Sequence, residues 1–141
     1  MADLQTIKDD FAYLDDWEDR YRYVIELGKA LPEMPESERT EASKVQGCVS
    51  QVWLVSATEP AEPGDPVMHF RGESDSHIVR GLVAIVLAAS SGRKASDVEN
   101  LDEAALLSGL GLAENLTPQR ANGLRSMVRR IKSEAARARA G

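Results

Sequence analysis

The chain has 141 residues, of which 43% are hydrophobic, and this composition suits one compact domain with a single core. The formal net charge of -6 disfavours general nucleic-acid binding, and no apolar run approaches the length of a membrane span. The N-terminus lacks the basic and then apolar layout of a signal peptide, and a single cysteine cannot form an internal disulfide. We therefore expect a cytoplasmic protein without a membrane segment.

Charge is distributed unevenly along the chain. Acidic residues cluster in the first 19 positions, whereas the C-terminal segment is rich in arginine. A basic helix could bind phosphate or RNA, but such arginines more often form a solvated face or pair with an acidic segment. We therefore predict no nucleic-acid partner.

Two helices are predicted in the N-terminal part of the chain. Asp3 can cap a helix over residues 4–13, and Asp15 and Asp16 can begin a second helix over residues 17–30. Apolar residues recur at helical spacing in both segments, so each helix is expected to bury one face.

The middle of the chain favours an antiparallel hairpin. Residues 49–58 combine β-branched and aromatic side chains and form the clearest strand, and residues 67–71 alternate as a second strand. Residues 59–65 have the composition of a long turn. Residues 44–46 are a further short strand candidate.

Three more helices follow the hairpin. Ser74 or Asp75 is the expected cap of a helix over residues 78–87, which is apolar nearly all round and should be the central buried helix. A short helix is predicted over residues 102–108, and a threonine–proline pair signals a last helix over residues 118–138. This order of elements indicates an α+β fold in one domain, a small antiparallel sheet packed with helices.

The only cysteine, Cys48, lies between Gly47 and the predicted strand. Gly47 permits backbone angles that other residues avoid, so a sharp turn could present the thiol at a tip or in a pocket. The thiolate is the reactive form, and the N–H groups of such a turn could favour it. Free cysteine is also among the most buried residue types, and the residues alone slightly favour a structural role.

Metal and protease chemistry find little support. The soft or imidazole ligands are Cys48, His69 and His77, and their spacing matches no metal motif. One thiol cannot supply the four that an iron–sulfur cluster usually takes. Either histidine could act as a base beside the cysteine, but no protease signature surrounds it. We predict no metal site and no cofactor.

Asp75 and Arg120 each lie in the first turn of a predicted helix. Asp75 suits the positive end of the helix dipole, whereas Arg120 does not. A cation in that position suggests another partner, either a nearby carboxylate or a bound anion, and the sequence leaves both open.

Four blocks of the chain occur in the order that they have in a known family. They are Trp17 with Arg20-Tyr21, Ile25 to Gly28 and Leu31-Pro32; Val45 to Cys48 with Ser50 to Trp53; Gly72 to Asp75 with Ile78 to Leu82; and Leu116 to Pro118 with Arg120 and Gly123-Leu124. Together they resemble the SufE family, the sulfur acceptors that work with cysteine desulfurases in iron–sulfur cluster assembly. Glu73 stands where aspartate is common in the family, and Val49 where a polar residue is frequent.

The resemblance implies an α+β fold shared with the U-type cluster scaffolds. It also implies that Cys48 takes persulfide sulfur from a SufS-type cysteine desulfurase, stimulates that enzyme, and passes the sulfur to a downstream iron–sulfur scaffold. The desulfurase uses pyridoxal phosphate, whereas the acceptor carries no cofactor. We expect Gly47, Gln51, Asp75 and Arg120 to support the thiol or bind the partner, and the chain to be a monomer or a weak homodimer.

Two other functions stay open at this point. The chain could activate a desulfurase by binding alone, with Cys48 merely structural, or it could reduce peroxides, which usually requires a resolving thiol from elsewhere. If Cys48 carries sulfur, we expect it to rest in a sheltered apolar pocket beside Trp53 and the central helix, and to swing out on docking.

Overall fold

The computed structural model describes residues 3–140, and over this range it confirms an α+β fold. The helices are α1 Leu4–Tyr13, α2 Trp17–Lys29, α3 His77–Ser90, α4 Ala95–Glu99, α5 Glu103–Gly109, α6 Leu112–Asn115 and α7 Pro118–Ala140. The strands are β1 Val52–Glu62, β2 Asp65–Ser74 and β3 Arg93–Lys94, and one 3-10 turn spans Glu36–Glu38. The strands form one antiparallel sheet in the order β1-β2-β3.

The central hairpin is longer than the sequence predicts. β1 and β2 pair from Val52 opposite Ser74 to Glu62 opposite Asp65, with one irregularity near the far end. The predicted long turn is therefore wrong, because only residues 63–64 lie between the strands. Proline is tolerated inside β1 because β1 is an edge strand, where one side needs no ladder hydrogen bond.

The start of β1 also differs from the prediction. The strand begins at Val52 rather than at residue 49, and the predicted strand over residues 44–46 is reduced to one bridge between Lys44 and Trp53. The reason is geometric: β2 ends at Ser74, so the residues before Val52 have no strand opposite them. They form a loop instead, and Cys48 lies on it.

The cap of α3 is Ser76, whose side chain accepts a hydrogen bond from the backbone N–H of Val79. The prediction of Ser74 or Asp75 as the cap was wrong by one or two residues, because the extended chain continues past the end of β2. The carboxylate of Asp75 is thereby left to bind the backbone of Gln51.

α3 is the central buried helix, as predicted. It packs against α1, α2, α7 and β2. Its crossing with α2 is so close that a Cβ on Gly81 would lie 2.1 Å from the carbonyl oxygen of Val24, and a Cβ on Gly28 would lie 2.7 Å from the backbone nitrogen of Gly81. Both glycines are therefore needed for the two helices to touch.

Three elements were not predicted from the sequence, namely β3, α4 and α6. The carboxylate of Asp65, at the start of β2, binds both the backbone N–H and the hydroxyl of Ser96, at 2.8 and 2.6 Å. This contact between distant parts of the chain holds a segment too short to form a helix on its own.

A buried ion pair joins α3 to the end of β2. Arg80 and Glu73 are in contact, with side chains 16% and 9% exposed. Arg80 also donates to the carbonyls of Gly28 and Leu31 at the end of α2, and Glu73 accepts from the backbone N–H of Met34. The pair therefore ties the end of α2, the loop after it and the end of β2 together.

The pKa of Glu73 is lowered by this environment. Burial alone would raise it, but hydrogen bonds from Arg80 and from the backbone N–H groups of Ser74 and Met34 outweigh burial. A carboxyl whose pKa is lowered in the folded state stabilises the fold above its unfolded pKa, and this contribution is lost as the pH falls through the lowered value.

We expect Glu73→Gln to lower the free energy of unfolding by about 3 kcal/mol at neutral pH, because the buried guanidinium loses its counter-charge. The difference between parent and variant should be constant above the unfolded pKa of a glutamate, about 4.3, and should shrink as the pH falls below it and through the lowered pKa of Glu73. Urea unfolding across this pH range measures both effects.

The matched control is Glu18→Gln, which removes an exposed ion pair with Arg22. Its cost should stay below about 1 kcal/mol. If the two variants unfold alike at neutral pH, the buried pair does not have the role assigned to it.

Candidate functional site

Cys48 lies on a loop between Val45 and Gln51 that turns sharply at Gly47. The φ of Gly47 is 89°, a conformation that favours glycine, and a Cβ at this position would lie 2.6 Å from the hydroxyl oxygen of Ser126 on α7. Gly47 is therefore required twice, once for the turn and once for the close approach of the loop to α7.

The thiol of Cys48 is half-buried against α7. Its sulfur donates to the carbonyl oxygen of Gly123 at 3.6 Å, and a Cβ on Gly123 would lie 3.7 Å from the sulfur. Burial raises the pKa of the Cys48 thiol, because the thiolate loses solvation there. In this position the sulfur is held as a thiol rather than as the reactive thiolate.

A cavity of about 300 Å³ opens beside the sulfur. The loop, the start of α3 and the first turns of α7 form its walls. The lining residues are Cys48, Val49, Ser50, Ser76, Val79, Thr117, Gln119, Arg120, Gly123 and Met127. Its buried lining residues Val79 and Met127 are apolar, and most of its more exposed lining residues are polar, so the cavity could hold a small group attached to the sulfur.

Asp75 and Gln51, two of the residues expected to support the thiol or bind the partner, are in contact. The carboxylate of Asp75 accepts from the backbone N–H of Gln51 at 3.0 Å, and the N–H of Asp75 reaches the carbonyl of Gln51 at 3.3 Å. The backbone of Gln51 makes these bonds, while its side chain is exposed. Asp75 therefore fixes the C-terminal end of the Cys48 loop.

Arg120 lies in the first turn of α7 and lines the cavity. Its backbone N–H is satisfied by the hydroxyl of Thr117 at 3.3 Å. Within residues 3–140 its guanidinium makes no hydrogen bond or ion pair, so the nearby carboxylate left open by the sequence is not found there. A cation with unused donors thus faces the cavity beside the thiol.

The expectation that Trp53 shelters Cys48 is wrong. Side chains alternate across β1, and Trp53 points away from the face that Val52 and Leu54 bury. Its ring lies under the guanidinium of Arg39 at 5.9 Å and does not line the cavity. The central helix does contribute, through Val79 of α3.

Apart from Arg120, the residues of α7 that meet the loop or line the cavity were not predicted from the sequence as parts of the site. Gly123, Ser126 and Met127 occupy consecutive turns of one face and meet the loop or the cavity there. An isolated glycine inside a helix indicates close packing, so the sequence could have predicted that Gly123 packs against another part of the chain. What it packs against depends on how α7 crosses the loop, and periodicity does not report this.

The two histidines lie away from the thiol. His69 bonds Glu59 at 2.8 Å across the exposed hairpin, and His77 is the exposed first residue of α3. Neither lines the cavity. Across residues 3–140, no group of three or more histidine, cysteine, aspartate or glutamate side chains is placed to hold a metal ion.

The fold and the site together define a small α+β domain with a half-buried thiol on a loop that packs against α7 and borders a cavity with the start of α3. Residues 5–135 match the family described as "SufE: Fe-S metabolism associated domain", and the chain belongs to this family. Its association with iron–sulfur metabolism follows from that membership.

The chain is similar to two curated proteins of rhizobia. One is an uncharacterized SufE-like protein of Rhizobium meliloti, 65% identical over 136 residues that cover 96% of each chain. The other is an uncharacterized SufE-like protein of Rhizobium etli, 63% identical over 135 residues that cover 96% of this chain and 90% of the relative.

The fold resembles a solved structure, described as the solution structure of a hypothetical protein from Thermus thermophilus. The TM-score is 0.75 over 98% of this chain and 96% of the other, at 18% identity. This likeness supports the fold. Among the described residues, no helix is both long enough and apolar enough to cross a bilayer.

We expect Asp75→Ala to make Cys48 more reactive towards a soluble disulfide reagent in the absence of any partner. Loss of a hydrogen bond worth about 1 kcal/mol should raise the population with an open loop, and hence the rate, by about fivefold. The rate against pH should also shift to lower pH, because an exposed thiol escapes the burial that raises its pKa.

The control is Asp102→Ala, which removes a carboxylate that accepts a backbone hydrogen bond at the start of α5, with no contact to the loop. An Asp75→Ala thiol that reacts at the parent rate would show that Asp75 does not hold the loop closed.

Proposed function

We propose that this protein is a sulfur carrier, in which Cys48 takes sulfur from the persulfide of a cysteine desulfurase and passes it on for iron–sulfur cluster assembly. The observation that carries the proposal is the position of the Cys48 sulfur, beside a cavity lined by apolar side chains and by Arg120, whose guanidinium has no partner among residues 3–140. Membership of a family associated with iron–sulfur metabolism supports it.

The reaction is an exchange between sulfur atoms. The thiolate of Cys48 attacks the outer sulfur of the donor persulfide, a new S–S bond forms at Cys48, and the donor cysteine leaves as a thiolate. The bond broken and the bond formed are of the same kind, so no oxidant or reductant is required. The chain needs no cofactor of its own, and the pyridoxal phosphate belongs to the desulfurase.

Attack requires the thiolate, whereas burial favours the thiol in the closed position. We propose that Cys48 reacts after its loop has opened towards the desulfurase. Val49, next to it, is 83% exposed and marks the side of the loop that meets the partner. An exposed apolar side chain at this point would be buried when a partner docks, and this burial would contribute to binding.

We propose that the persulfide of Cys48 occupies the cavity after the sulfur is accepted and until it is passed on. A persulfide carries its negative charge on the outer sulfur, and we propose that the guanidinium of Arg120, which lines the cavity, compensates that charge. Because Cys48 is the only cysteine, no second thiol of the chain can attack the persulfide and release the sulfur as sulfide. A lone thiol also suits a reducing compartment, and we propose the cytoplasm as the location.

The half-burial of Cys48 favours a second candidate function. A thiol held with a raised pKa is also what a structural cysteine would show, and the chain would then activate a desulfurase by binding alone. The two functions differ in whether the sulfur atom of Cys48 is needed.

We expect Cys48→Ser to abolish the stimulation of sulfide release from cysteine by a desulfurase, while the variant still competes with the parent for that enzyme. The hydroxyl cannot form the S–S bond, but the loop and its surroundings persist. The control is Ser133→Ala, on the exposed side of α7. Stimulation by Cys48→Ser equal to that of the parent would establish activation by binding alone.

We expect Arg120→Gln to shorten the lifetime of sulfur on the carrier in the presence of a small thiol by about fivefold, because an anion in the cavity loses a charge partner worth about 1 kcal/mol. The control is Arg125→Gln, whose guanidinium already bonds Asn122. Equal lifetimes of the bound sulfur in Arg120→Gln and Arg125→Gln would show that Arg120 does not stabilise the persulfide. Unchanged binding of Arg120→Gln to the desulfurase would show that Arg120 is not part of the docking surface.

A further inference from the structure

Arg130 of α7 makes a fork of hydrogen bonds to the chain just before the Cys48 loop. Its two terminal nitrogens donate to the carbonyls of Ala42 and Lys44 at 2.6 and 3.0 Å. Its Nε donates to Glu134 at 3.0 Å, and the two side chains are 24% and 20% exposed. The planar guanidinium of arginine is suited to such a fork, whereas a lysine ammonium is not.

The segment that Arg130 holds is also fixed to β1. The backbone N–H of Leu54 donates to the carbonyl of Ser43, and that of Val45 donates to the carbonyl of Val52, each at 2.8 Å. The chain is therefore anchored from both sides until Val45.

The next residues are held loosely. Within residues 3–140, no backbone hydrogen bond of ordinary geometry joins residues 46–50 to the rest of the chain, and the only side-chain hydrogen bond of the segment is that of Cys48. The chain is fixed again at Gln51 by Asp75. The structure thus places a short free segment between two anchors, with the thiol in its middle.

We propose that Arg130 is a positioning residue, which fixes the N-terminal base of the Cys48 loop so that only residues 46–50 move when the thiol leaves its cavity. The proposal rests on the proposed function as a sulfur carrier. Cys48 lies three residues from each anchor, so its Cα can move no more than about 10 Å from either anchor.

The fixed base has two consequences for sulfur transfer. A short anchored loop loses less conformational freedom when it docks on a partner than a longer one does. It also returns to the closed position more readily, because the closing of a loop becomes less favourable with length. Without the fork, the segment keeps its hydrogen bonds to β1 but loses its anchor on α7, so the base of the loop opens more often. An opening back to Thr40 roughly doubles the mobile segment, which corresponds to about a threefold loss of the closed population.

The first test compares Arg130→Lys and Arg130→Gln by the rate at which a soluble disulfide reagent modifies Cys48 without any partner. We expect both variants to react about three- to tenfold faster than the parent, because the closed loop is less populated. The control is Arg137→Gln, which removes an exposed arginine near the same Glu134 and should react at the parent rate.

The lysine variant separates position from charge. If Arg130 affected the thiol only through its positive charge, Arg130→Lys would react like the parent and Arg130→Gln more slowly, since a lost cation disfavours the thiolate. That result, or parent rates in both variants, overturns the proposal. Unfolding midpoints for all variants show whether a faster reaction reflects the loop or a general loss of stability.

The second test uses a cysteine desulfurase with each variant as sulfur acceptor. We expect the apparent KM for the acceptor to rise about threefold or more in Arg130→Lys, with a smaller change in kcat, because docking must order a longer loop. A fall in kcat at unchanged KM would contradict the positioning role. If the parent itself accepts no sulfur, the proposed function fails, while the reagent rates still decide what Arg130 does to the loop.

Discussion

A buried carboxylate at the end of β2 joins the parts of the molecule that hold the thiol. Glu73 pairs with Arg80 of the central helix, and Arg80 in turn binds the carbonyls of Gly28, near the end of α2, and Leu31, just after it. The chain leaves this pair through Ser74, whose N–H also bonds Glu73, and reaches Asp75, which holds the loop. The α2–α3 crossing, the turn from sheet to helix and one end of the cysteine loop therefore depend on the same buried charges.

The second support of the thiol is α7, which contributes both glycine positions that allow close approach and an arginine that anchors the loop. Gly47 and Gly123 leave room for the loop and the sulfur to approach the helix. Arg130, farther along the same helix, holds the base of the loop. A thiol fixed in this way is sheltered by rigid elements but is itself only lightly bonded, and this combination suits a group that must be protected at rest and exposed on demand.

Local signals predicted much of the fold, while the site depended on contacts between distant parts of the chain. α1 and α2 begin where Asp3 and Asp16 cap them, because a cap is a property of a few neighbouring residues. The cap of α3 and the start of β1 were misplaced, because both depend on where β2 ends. Trp53 was assigned to the thiol although strand alternation turns it away, and the arginines of the last helix, Arg130 among them, were expected to form a solvated face or to pair with an acidic segment. Neither the cavity nor the fork to Ala42 could be read from periodicity, since both arise where α7 crosses a loop many residues earlier in sequence.

The most direct test of the central claim is mass spectrometry of the protein after incubation with a cysteine desulfurase and cysteine. The account predicts a mass gain of one or more sulfur atoms, located on the peptide that contains Cys48 and reversed by a reducing thiol. A parent protein that stimulates the desulfurase fully but never gains sulfur on Cys48 would contradict it, and would make the chain an activator that works by binding alone.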